Sequence, residues 1–106
     1  MAVQNTGEVD AIGIDNITGN VTLAIFDSLD WGDEEEHLLL LQEKLNVYLS
    51  FIESGEVYSV YEQANGRNFE IKIHFKNNIP QSCKEFLNTV TEIISEAGFY
   101  LTYKIG

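Results

Sequence analysis

Between Asp33 and Gly55 the chain carries one long helical pattern whose apolar side is wider than a surface helix needs. Asp33 has the side chain of an N-cap, and Glu36 sits three residues on as its reciprocal partner in a capping box. The spacing predicts a helix from about Glu34 to Ser54, with Gly55 as the left-handed residue that ends it. At about 100° per residue, Leu38, Leu41, Leu45, Tyr48, Leu49 and Ile52 share one stripe. Leu40, Val47 and Phe51 make a second stripe, and Gln42, Glu43, Asn46, Ser50 and Glu53 make the polar side. A helix with two apolar stripes needs two neighbours. A sheet on one side and a second helix on the other supply them.

The remaining elements follow from shorter patterns. Val9–Ile14 and Val21–Phe26 are β-type runs around the turn-rich segment Asp15–Asn20, and they predict a hairpin. Val57, Tyr58, Val60 and Tyr61 predict a strand over Glu56–Glu62, followed by a turn around Asn65-Gly66. Phe69–Lys76 alternates strictly, with Phe69, Ile71, Ile73 and Phe75 on one face and Glu70, Lys72, His74 and Lys76 on the other. A second helix opens near Pro80, with Ser82 and Glu85 spaced as a capping box, and closes at Gly98. Its apolar positions are Cys83, Phe86, Leu87, Val90, Ile93, Ile94 and Ala97. Phe99–Ile105 reads as a last strand. The expected fold is therefore one two-layer α+β domain over residues 1–106. A five-stranded, largely antiparallel sheet would carry two helices on one face, in the order β-β-α-β-β-α-β, a ferredoxin-like variant.

Charge narrows the partners. The net charge is −11, and residues 1–56 hold five Asp and seven Glu against Lys44 alone, while acids and bases balance in residues 57–106. Such a field repels nucleic acid and anionic membrane and draws basic proteins. No apolar run approaches the length of about 20 residues that a membrane span needs. Residues Met1–Asp10 lack the basic and apolar regions of a signal peptide. The lone cysteine, Cys83, excludes an intrachain disulfide and a Cys-based zinc site, so a cytoplasmic protein is expected.

Few residues suggest chemistry. The run from Asp27 to Glu36 has six acids in ten residues, and oxygen-rich clusters bind Ca²⁺ or Mg²⁺. The acids are spaced by three rather than two, and a helix begins at once, so Asp33, Glu34, Glu35 and Glu36 serve the helix N-terminus instead. Glu34-x-x-His37 matches one half of a di-iron motif, without the second half. Cys83 lies on an apolar stripe, as a small buried hydrophobe does. No cofactor fingerprint is present, and no catalytic residue, metal site or cofactor is expected. Lys72, His74, Lys76, Tyr100, Thr102 and Lys104 should form a solvated sheet face.

The stretch from Asp30-Trp31 through His37-Leu38, Leu41-Gln42, Lys44-Leu45-Asn46 and Tyr48 to Ile52-Glu53-Ser54-Gly55 resembles the central helix of a family of small bacterial domains of unknown function. The resemblance implies a bacterial cytosolic protein and transfers no activity. It singles out Asp30, Trp31, Gln42, Lys44 and Asn46 as polar residues that a core does not require. The expected role is a non-enzymatic interaction module meeting a basic protein, of immunity or inhibitor type in its concrete version. Its partner surface would hold Asp30, Trp31, Asp33, Glu34, Glu35, His37, Gln42 and Asn46. The alternatives are a homodimer through Leu40, Val47 and Phe51, and a metal-dependent activity at residues 27–37.

Overall fold

The structure is a computed structural model that describes residues 9–106. The elements run β1 (Ala11–Ile14), β2 (Val21–Asp27), α1 (Glu34–Glu53), α2 (Glu56–Val60), a 3₁₀ turn (Glu62–Ala64), β3 (Phe69–Phe75), α3 (Gln81–Glu96) and β4 (Tyr100–Ile105). Among the described residues, the sheet has four strands in the order β1-β2-β3-β4. β1 and β2 form the expected antiparallel hairpin. Its turn is held by Asp15 Oδ1, which accepts from the N–H groups of Ile17 (2.7 Å) and Thr18 (3.1 Å).

β2, β3 and β4 are parallel to one another, which corrects the largely antiparallel, ferredoxin-like expectation. Parallel neighbours need a crossover of a dozen or more residues, and residues 28–68 provide one built on α1. α3 provides the second. Both crossovers step one strand in the same direction, so a common handedness puts α1 and α3 on one face.

The strand expected over Glu56–Glu62 is absent. Residues 56–60 form a helix, and the 3₁₀ turn follows. As the hairpin partner that a turn at Asn65-Gly66 would make of it, a strand there would pair with β3, and both edges of β3 are taken by β2 and β4. Gly55, at φ +84°, ends α1 and turns the chain straight into α2. Only Val57 of the supposed strand is buried, whereas Tyr58 and Val60 are exposed. Tertiary pairing has overruled the local β preference.

α1 begins as expected, with the Asp33 side chain accepting from the Glu36 N–H. The second capping box fails. Pro80 occupies the N-cap of α3 without a side-chain bond, and the Ser82 hydroxyl instead donates to Glu34 Oε1 across the helices (2.6 Å).

The core lies between the sheet and the helices. Val21, Leu23, Ile25, Phe69, Ile71, Ile73, Phe75 and Leu101 face Leu41, Leu45, Tyr48 and Ile52 of α1 and Cys83, Leu87 and Ile94 of α3. Each large apolar side chain buried there contributes about 1.5–3 kcal/mol. Among the described residues, no helix covers the opposite sheet face. On it Phe26 stacks on His74 (5.3 Å) and the Thr102 hydroxyl donates to Glu70 (2.5 Å).

Candidate functional site

The acidic segment does not form a single cluster, because Asp27, Asp30, Asp33 and Glu34 each serve a separate partner. Asp27 is the last residue of β2 and follows the inward parity of Val21, Leu23 and Ile25, so its carboxylate enters the core. Oδ1 accepts from the Leu29 N–H (3.1 Å), and Oδ2 meets His37 Nε2 at 2.5 Å. His37, on the first full turn of α1, is buried. Its Nδ1 lies 3.0 Å from the Asp30 carbonyl, which can only accept, so Nδ1 carries a proton. The Trp31 ring lies flat on the imidazole (3.6 Å, 14°) and also approaches Phe75 (6.3 Å). Asn77 closes the segment by donating to the Leu29 carbonyl (3.1 Å).

These bonds set the proton count. With Nδ1 protonated, a neutral imidazole leaves Nε2 as an acceptor, facing a carboxylate that also only accepts. The 2.5 Å contact therefore requires a second proton between Nε2 and Oδ2. Burial raises the Asp27 carboxyl above its ordinary 3.8, outweighing the hydrogen bonds from His37 and Leu29.

The other acids point elsewhere. Asp30 Oδ1 accepts from the Gly32 N–H (2.9 Å), Asp33 caps α1, and Glu34 accepts from Ser82. Among the described residues, no three His, Cys, Asp or Glu side chains converge to hold a metal ion.

Cys83, the other candidate for chemistry, is fully buried. Burial and the nearby Asp27 charge push its thiol up to about 12. A thiolate is the reactive form. Native protein is therefore expected not to react with a thiol reagent at neutral pH, and to react with one equivalent once unfolded. Fast labelling of the folded chain would contradict this placement.

A second interior cluster ties β1 to α1. Lys44 Nζ meets Asp10 Oδ1 at 2.7 Å, with both side chains fully shielded. Asp10 Oδ2 accepts from the Phe26 N–H (3.0 Å), so the carboxylate continues the β1 ladder along β2. The Tyr48 hydroxyl donates to the Ala24 carbonyl (2.5 Å) and accepts from the Asp10 N–H (2.8 Å).

The expected surface residues thus divide. Asp30, Trp31 and His37 gather around Asp27, with His37 inside the fold rather than on its surface. Lys44, also expected at the surface, is interior. Asp33, Glu34 and Glu35 crowd the exposed start of α1, and Gln42 and Asn46 lie exposed farther along it.

Fold and site together define a small α+β domain with a mixed sheet, two helical crossovers on one face and two buried acid–base pairs under the first helix. The chain belongs to a family of unknown function, DUF6572, whose profile matches residues 1–106. No curated protein and no solved structure matches it. No helix among the described residues is long and apolar enough to cross a membrane.

Proposed function

We propose that the protein is an interaction module whose exposed α1 face binds a basic protein. One observation carries this reading. Lys44, the only lysine or arginine of α1, is withdrawn into the core, so the solvent face of that helix holds Glu34, Glu35, Glu36, Glu43 and Glu53 and no cation. The face is not merely solvated. Leu39 is 59% exposed, and with Leu40 it lines a hollow of about 450 Å³ rimmed by Asp33, Glu35, Glu36 and Glu43. An apolar centre within a charged rim is the anatomy of a protein interface. The acids would steer a basic partner, raising association about 10–10³-fold, while Leu39 would be its apolar anchor. Inhibition of a basic enzyme such as a nuclease is the concrete form of this role.

Affinity capture tests it. The immobilised protein is expected to retain a basic protein at low salt and release it at high salt. Combined Glu35→Gln, Glu36→Gln and Glu43→Gln should abolish retention without changing thermal stability. Retention that survives the triple substitution, or the recovery of no basic protein, overturns the reading.

A further inference from the structure

The other end of α1 borders a surface of different character. β1 is an edge strand, and no described strand takes its free side. Its residues, Ala11, Ile12, Gly13 and Ile14, include none of the charges or prolines that guard open edges in soluble proteins. The Asp15 N–H donates to the Asn20 carbonyl (2.9 Å), so Ala11 and Gly13 also bond toward β2 by antiparallel alternation. The backbone groups of Ile12 and Ile14 therefore point off the edge. Beside that edge runs a groove of about 600 Å³ with Val9, Ile12, Val47, Phe51 and Val60 in its lining.

Gly13 is the second observation. Its φ is not positive, and a Cβ built there would meet nothing within 4 Å. Among the described residues, nothing requires a glycine at this place. A glycine within a strand often marks the close approach of another backbone.

We infer that two copies of this chain pair through β1, antiparallel about a two-fold axis at Gly13. Ile12 then exchanges backbone hydrogen bonds with Ile14 of the partner subunit. Gly13 faces its own copy at a non-hydrogen-bonded position, where Cα atoms approach to about 4.5 Å. Val47 and Phe51 of both copies fill the paired grooves. Charge selects this occupant over a basic protein. Among the described residues of its lining, the groove has Glu56 as the one ionised residue, and the polar ones are Asn46, Ser50 and Ser54. It is the flank of α1 on which a second chain of net charge −11 meets least repulsion.

Sedimentation equilibrium of the full chain is the test. Wild type is expected at twice the 12.0 kDa chain mass. Gly13→Lys sets like charges opposite each other across the axis and should give a folded monomer. Val47→Glu should do the same from the groove, while the Glu35, Glu36 and Glu43 substitutions leave the dimer intact. A wild type that stays monomeric at high concentration overturns the inference, as does a dimer that survives both substitutions. A monomer that dimerises only after residues 1–8 are removed assigns the edge to the chain's own N-terminus and overturns it equally.

Discussion

Replacing Lys44 by methionine is expected to cost the fold about 3–5 kcal/mol, although methionine matches lysine in length and suits the interior. The cost comes from the group left behind. Asp10 stays fixed by its bond from the Phe26 N–H, at a place where its carboxylate is fully shielded. Without the ammonium at 2.7 Å it becomes an uncompensated buried charge. Total stability for a domain of this size is about 5–15 kcal/mol, so this one substitution removes a large share of it.

A double substitution separates charge from packing. With Asp10→Asn added to Lys44→Met, the amide oxygen can still accept from the Phe26 N–H and neither member of the Lys44–Asp10 pair carries a charge. Most of the loss should return, because replacing both members of a buried pair is often close to neutral. Urea midpoints at unchanged slope give all three values. A single variant within about 1 kcal/mol of wild type would show that the pair is not needed. A double variant no better than the single would move the cause from Asp10 to lost packing around Lys44.

This pair also shows how far the chain can be read by eye. α1 was legible almost to the residue, because its cap at Asp33 and its stop at Gly55 are local devices. β3 was legible because its alternation from Phe69 to Phe75 matches its burial residue by residue. Residues 56–60 were not, because their β-branched and aromatic composition reports local preference, whereas the hairpin partner implied for them, β3, has both edges taken. The parallel sheet was missed for the same reason. The interior pairs left a weaker trace. Asp27 falls on the inward parity of β2, and His37 and Lys44 fall on the apolar arc of α1. A polar residue on an apolar face must find a partner there. What periodicity could not supply was the partner, since Asp10 lies 34 residues from Lys44.

The Asp27–His37 pair leads to the second large effect. His37→Ala is expected to cost about 3–5 kcal/mol, by removing the ring on which Trp31 stacks and leaving the Asp27 carboxyl without its partner. Asp27→Asn should cost less than about 1 kcal/mol, because every bond survives. Its amide N–H takes the place of the shared proton and donates to His37 Nε2, and its amide oxygen accepts from the Leu29 N–H. The two proteins should then differ in their response to pH. Because the folded Asp27 carboxyl lies above 3.8, the folded chain holds a proton that the unfolded chain releases. That contribution is full below 3.8 and is lost as pH rises through the folded value, by at most about 1.4 kcal/mol per unit. The asparagine variant has no such proton to lose. Its stability relative to wild type should therefore climb with pH, and the other carboxylates cancel in the comparison. Thermal unfolding of both proteins from about pH 4 to about pH 9 measures that difference. Parallel curves would show that Asp27 gives up its proton as readily in the folded chain as in the unfolded one. An asparagine variant as unstable as His37→Ala would show that the pair depends on charge, and not on a proton that an amide can replace.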